Sequence, residues 1–216
     1  MGKNASGIGN DLSRGVSADT SGNVYITGAF LSSSIAFGAT ILTNDGCPSG
    51  TCPDIFLSKS NSSGDEIWAR KVSGTSDEDY SRVIVQPDGN IYMTGHFYDS
   101  TIVLGSFELT KSGKIGNDIF IANYDSSGNV LWAKNIGGKG RGSEEINSLM
   151  SDVNGNLYVT GYFSSSSIAF SMDTLVNKGY IDLFVSKLGN NSTGMVKENN
   201  LTRGVNVFPN PSRGVF

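Results

Sequence analysis

Three acidic groups have a spacing that invites chemistry. Asn10-Asp11, Asp77-Glu78-Asp79 and Glu144-Glu145 each precede a stretch rich in aliphatic residues. Aligning those stretches puts Asp11, Asp79 and Glu145 at one recurring position. Carboxylates with backbone carbonyls nearby suit a hard cation such as calcium, or a polar rim that receives a carbohydrate. The same residues can instead accept hydrogen bonds from turn amides and fix the entry of a strand. Asp54, Asp118 and Asp182 form a second series, 64 residues apart at each step (54 to 118 to 182), each just before Ile-Phe or Leu-Phe. As catalytic acids they would need pairing that splits their pKa values. Regular recurrence assigns them a structural task, anchoring a loop or bonding the neighbouring unit. Asp88, Asp125 and Asn154 stand in glycine-containing turns, and none completes an EF-hand loop.

Nucleophilic chemistry finds little support. His96 is the single histidine, and without a second histidine or a paired cysteine it makes a poor metal ligand or triad base. It stands where Ala29 and Tyr162 stand in the other units, which reads as a solvent-facing or lightly packed position. No serine lies in Gly-x-Ser-x-Gly, and no glycine run forms a phosphate loop joined to a helix. The expectation is a protein with no catalytic residue and no cofactor, calcium apart. Trp68 and Trp132 share a register and offer either aromatic platforms for sugars or packing between units. Cys47 and Cys52 lie in Cys-Pro-Ser-Gly-Thr-Cys, too few ligands for structural zinc and too widely spaced for a two-residue redox motif. They are read as a disulfide pinning an inserted loop in an oxidising compartment, with a stabilisation of about 2 kcal/mol.

Composition narrows the classes further. The chain has 216 residues, with 16 Lys+Arg against 20 Asp+Glu. Its basic residues are dispersed, which argues against nucleic-acid binding. No apolar run approaches the roughly 18 residues that span a bilayer. No secretory leader opens the chain, which enters repeat-like sequence at once and reads as part of something longer. The 28 glycines, with many Ser, Asn and Thr, suit short strands joined by tight turns.

A repeat must position these residues. Gly22-Asn23-Val24-Tyr25-Ile26-Thr27-Gly28 returns as Gly89-Asn90-Ile91-Tyr92-Met93-Thr94-Gly95 and as Gly155-Asn156-Leu157-Tyr158-Val159-Thr160-Gly161, at steps of 67 and 66 residues (22 to 89 to 155). A fixed period of this length means a stacked array of one supersecondary unit. In the second unit Tyr80–Gln86 and Ile91–Phe97 read as strands around the turn Pro87-Asp88-Gly89-Asn90. Thr101–Leu104 with Phe107-Glu108-Leu109 reads as a short extra hairpin. Strands at Asp118–Ala122 and Val130–Ile136 follow, around Asp125-Ser126-Ser127-Gly128-Asn129. Ile55-Phe56-Leu57 and Leu183-Phe184-Val185 are apolar at consecutive positions, so both faces of these strands are covered. Sheets fanned about an axis supply that cover at four strands each, which makes the chain an all-β protein of β-propeller blades.

The series Asp-x-x-Gly-Asn-aliphatic-Tyr-aliphatic-Thr-Gly, Asp-aliphatic-Phe-aliphatic and Ser-Ser-Gly-x-x-x-Trp-Ala resembles the bacterial seven-bladed-type propeller repeat over roughly residues 5–188. At the other end, the Phe208-Pro209-Asn210-Pro211 run with Gly214 resembles the start of the C-terminal sorting domain of type IX secretion in Bacteroidetes. The first resemblance implies three antiparallel four-stranded modules forming an open, partial propeller. Residues 1–11 would be the remnant of a preceding blade, 12–73, 74–138 and 139–198 three blades, the last with a degenerate outer strand, and 199–216 a linker with the truncated sorting-domain start. The second implies secretion or the outer cell surface. The function expected is a non-catalytic scaffold that binds glycan or protein there, with self-association possible through exposed blade faces. The alternative is the propeller portion of a larger secreted hydrolase or lyase whose active site lies elsewhere.

Overall fold

The computed structural model describes residues 5–46, 52–74, 77–170 and 173–188, and these residues are built from strands without a helix. Unit one comprises β1 (Asp11–Ala18), β2 (Val24–Phe30), β3 (Ser34–Phe37), β4 (Thr40–Thr43), β5 (Asp54–Ser60) and β6 (Glu66–Val72). Unit two comprises β7 (Glu78–Val85), β8 (Ile91–Phe97), β9 (Thr101–Leu104), β10 (Phe107–Thr110), β11 (Asp118–Tyr124) and β12 (Val130–Ile136). Then come β13 (Gly138–Lys139), β14 (Glu144–Ser151), β15 (Leu157–Phe163), β16 (Ser167–Phe170), β17 (Asp173–Val176) and β18 (Asp182–Leu188). The main sheets run β1-β2-β5-β6 and β12-β11-β8-β7, each antiparallel, and β14-β15-β18 repeats the first three positions. Every sheet is open. The outer strand expected for the third unit falls outside the described residues, as do Cys47 and the Phe-Pro-Asn-Pro segment.

Local chemistry makes these hairpins. Asp19 Oδ1 accepts the amides of Ser21 and Asn23, both at 2.9 Å, while Gly22 takes φ 78°. An aspartate that mimics a backbone turn and a glycine that tolerates positive φ together close the hairpin. Asp152 repeats the arrangement with Asn154 and Asn156. The turn acids are therefore hydrogen-bond acceptors. Hydrogen bonding from the Asn23 and Asn156 side chains is the leading cause that holds Asp19 and Asp152 below the usual carboxylate range.

Units pack flank to flank. Side chains alternate along β2 and β5, so Tyr25, Ile55 and Leu57 turn toward unit two and meet Val83, Ile91, Met93 and Phe97 in one core. Tyr92, Ile119 and Ile121 turn the other way and join Leu157, Val159, Phe163 and Phe184 in a second. Consecutive apolar positions in a strand are thus split between two interfaces. Trp68 completes the first: it is 6% exposed, its Nε1 donates to the Ser126 carbonyl at 3.1 Å, and it stacks edge-on with Tyr25. Hydrogen bonds cross the same seam, Thr27 Oγ1 reaching Ser81 Oγ at 2.8 Å and Val85 N reaching Ser17 Oγ at 3.1 Å. The first strands β1, β7 and β14 contact one another in succession, which places them at the inner edge of the fan.

Candidate functional site

The acid series meets the inner edge at its loop-bearing end, and pairing registers correct its alignment. Asp11 faces Phe30, Glu78 faces Phe97 and Glu144 faces Phe163. Asp79 and Glu145 stand opposite His96 and Tyr162, one residue further on, where unit one has Leu12 opposite Ala29. Asp11 is therefore equivalent to Glu78 and Glu144, not to Asp79 and Glu145. Because side chains alternate, this one-residue offset sends the two groups to opposite faces of the sheet. These acids are also strand residues rather than part of a preceding loop.

Each group has its own surroundings. Ser32 donates to Asp11 through its backbone N at 3.2 Å and its hydroxyl at 2.8 Å. Glu78 and Glu144 are buried at 0% and 1% exposure. Burial, with Asp99 and Asp54 adjacent, pushes Glu78 up to about 10. Burial raises Glu144 to about 7 against the lowering effect of Ser165. Asp79 receives Arg14 of the preceding unit in a two-pronged ion pair, its Oδ1 accepting from Nε at 2.8 Å and its Oδ2 from Nη2. Among the described residues no three His, Cys, Asp or Glu side chains converge as a metal-binding group, so Asp11, Asp79 and Glu145 are not brought to a common point.

The second acid series holds loops. Asp54 Oδ2 accepts the Asp45 amide at 2.9 Å, Asp118 Oδ2 the Ser112 amide at 2.6 Å, and Asp182 Oδ2 the Lys178 amide at 2.7 Å. Each fixes the segment feeding the third main strand. Burial lifts Asp54 to about 6 although the Asp45 amide and Lys71 oppose the rise.

Around Asp79 and Glu145 the structure gathers side chains from three units. His96 is 3% exposed, which corrects the expectation of a solvent-facing ring. It lies on the flank of β8 that unit three covers, with Tyr80 at 4.7 Å between ring centroids and Tyr98 edge-on at 5.5 Å. Burial lowers its pKa against the pull of Glu145, Asp79 and Asp77, and its Nδ1 has no hydrogen-bond partner. Tyr80 has φ 55° at the β7 bulge, the one non-glycine residue among those described in the left-handed region. Such conformations cost about 1–3 kcal/mol and cluster where a side chain must be aimed. The Arg14 guanidinium lies 5.0 Å from the Tyr80 ring centroid. Tyr162 completes the rim, its phenol raised to about 12 by burial and by the neighbouring Glu145 carboxylate.

Arg14, Tyr80, Tyr98 and Tyr162 escape a reading that searches for identical residues at equivalent positions. Tyr80 and Ile146 occupy matching places beside their bulges, and Tyr98 matches Leu31 and Ser164. The rim is assembled from what differs between units, and the repeat signal hides it. No family model matches the chain. A curated relative, an uncharacterised WD repeat-containing protein of Acanthamoeba polyphaga mimivirus, is 31% identical over 192 residues, covering 73% of this chain. WD repeats build four-stranded propeller blades, as do the sheets seen here. The chain is a β-propeller-like repeat protein. It spans 14% of that relative's length.

Proposed function

We propose that this propeller-like chain is a non-catalytic interaction scaffold whose binding face is the inner rim. The observation that carries the reading is the meeting of Arg14 from unit one, Asp79, Tyr80 and His96 from unit two, and Glu145 and Tyr162 from unit three. β8, buried along its whole length, holds His96 at the centre of this group rigidly, so less ordering entropy is lost there on binding. Tyr80 and Tyr98 remain 44% and 41% exposed, and such residues anchor protein interfaces and stack on sugars. Repeated weak contacts along one rigid edge add through effective concentration.

The partner is a protein or a glycan met outside the cell. The Cys47-to-Cys52 disulfide reading and the Phe208-Pro209-Asn210-Pro211 segment support secretion or the outer surface. A glycan array combined with capture from intact cell surfaces tests the reading. A partner that is retained by wild type and by Glu108→Gln, but released by Tyr80→Ala and Tyr98→Ala, is the expected result. Finding no partner in either format, or retention by all variants, overturns it.

A further inference from the structure

Arg14 shows what this rim does to a guanidinium. Its planar head rests over the Tyr80 ring at 5.0 Å while Asp79 takes two of its N–H groups, a face and a carboxylate acting together. The other half of the rim repeats those parts. Tyr98 is 41% exposed and lies within electrostatic reach of Glu145, Asp77 and Tyr80, and Tyr162 stands against Glu145. Here no side chain among the described residues supplies the cation. Arg14 is committed to Asp79, and Arg82 turns to the Asn147 carbonyl at 3.4 Å. Neither Asp77 nor Glu145 has an ion-pair partner among the described residues. Beneath them lies His96 with an unpartnered Nδ1 and 3% exposure.

We propose that Tyr98, Tyr162 and Glu145 form a receptor for an arginine side chain presented by a partner protein, a second copy of the arrangement that Arg14 makes with Tyr80 and Asp79. The inference rests on the scaffold reading and names the chemistry its rim selects. Guanidinium suits the place better than an ammonium because it is planar, weakly hydrated and able to bond a carboxylate while lying on a ring. Asp77 adds long-range attraction, so the interaction weakens with salt.

The test uses the full chain and three blocked tripeptides, Gly-Arg-Gly, Gly-Lys-Gly and Gly-citrulline-Gly, followed by NMR of the tyrosine and histidine rings. Gly-Arg-Gly should saturate the Tyr98 and His96 signals. Citrulline, which keeps the shape and loses the charge, should bind at least tenfold more weakly, and lysine should fall between. Glu145→Gln and Tyr98→Ala should each weaken Gly-Arg-Gly at least fivefold with unchanged melting temperature, and Glu108→Gln should have no effect. Equal binding of arginine and citrulline peptides, or arginine binding indifferent to both rim variants, overturns the proposal. Saturation of the same signals by neutral oligosaccharides with none by Gly-Arg-Gly also overturns it, yet leaves the scaffold reading standing. Loss of every partner in the capture experiment would defeat that reading separately.

Discussion

Glu78 and Glu144 sit where the first strand of one unit meets the loop of the unit before, and both are buried carboxyls. The Glu78 amide donates to the Pro53 carbonyl at 3.2 Å, and the Glu144 amide to the Asn117 carbonyl at 3.4 Å, so the backbone holds each acid at the seam. Burial raises Glu144 from 4.5 to about 7 and Glu78 to about 10. A carboxyl raised on folding keeps its proton while the unfolded chain has lost it, so the folded state binds more protons and stability falls as pH rises. For Glu144 the fall runs from about pH 4.5 to 7, for Asp54 from about 3.8 to 6, and for Glu78 it continues into the alkaline range. Melting temperatures followed from pH 4 to 9 should therefore decline across that window. Glu144→Gln should stabilise the chain by about 2 kcal/mol at pH 8 and leave it almost unchanged at pH 4. A variant equally stabilised at both pH values would show that the burial of this carboxyl does not set the profile.

The pairing of the second and third main strands explains why two motifs travel together. Gly28 lies opposite Phe56, Gly95 opposite Phe120 and Gly161 opposite Phe184. The phenylalanine ring leans across the glycine, and a Cβ at residue 95 would stand 2.7 Å from the Phe120 ring and 2.9 Å from Ile55 of the neighbouring unit. Gly95→Ala should cost about 1–3 kcal/mol through overpacking, with part of the loss recovered by Phe120→Leu; chemical denaturation of the single and double variants checks this coupling. Trp68→Phe, which removes the indole donor and leaves the Ser126 carbonyl to the Lys59 ammonium alone, should cost about 1 kcal/mol in the same assay. Strand order, hairpin turns and the two-sided burial of Ile55-Phe56-Leu57 were legible in the sequence, because glycine, aspartate and apolar runs act locally and recur. The small hairpin at Thr101–Leu104 was legible for the same reason. The equivalence of the acids was legible as well, since Asp11, Glu78 and Glu144 stand at equal distances before Gly22, Gly89 and Gly155 (11 to 22, 78 to 89 and 144 to 155). All three first strands carry the same bulge, and the alignment with Asp79 and Glu145 departs from that spacing by one residue. The rim at Tyr80 and Tyr98 was hidden, because it joins residues that the repeat does not share.

Among the described residues, the flanks that cover one another between units are exposed on the outer sides of units one and three, and their chemistry matches. Met93, Leu104 and Phe120 are fully buried beneath unit one, whereas the equivalent Ile26 and Phe37 of unit one are half-exposed along a groove that also bears Ile35 and Phe56. On the opposite flank Leu183 is 56% exposed, although the equivalent Ile55 and Ile119 are at 0%. The surface that unit two offers to unit three is thus a near copy of the one that unit three offers outward. A second copy of the chain can seat its first unit against the third unit of its neighbour, a head-to-tail contact that closes into a ring or continues as a fibre. The 216-residue chain should accordingly sediment as concentration-dependent oligomers. Ile26→Lys and Leu183→Lys each remove one of the two partners in that contact and should yield monomers, since a lysine ammonium at the seam would be desolvated without an acid beside it. An equimolar mixture of the two variants retains one intact flank on each and should form a dimer that grows no further. Oligomers surviving in both single variants, or a mixture that stays monomeric, would show that association uses another surface.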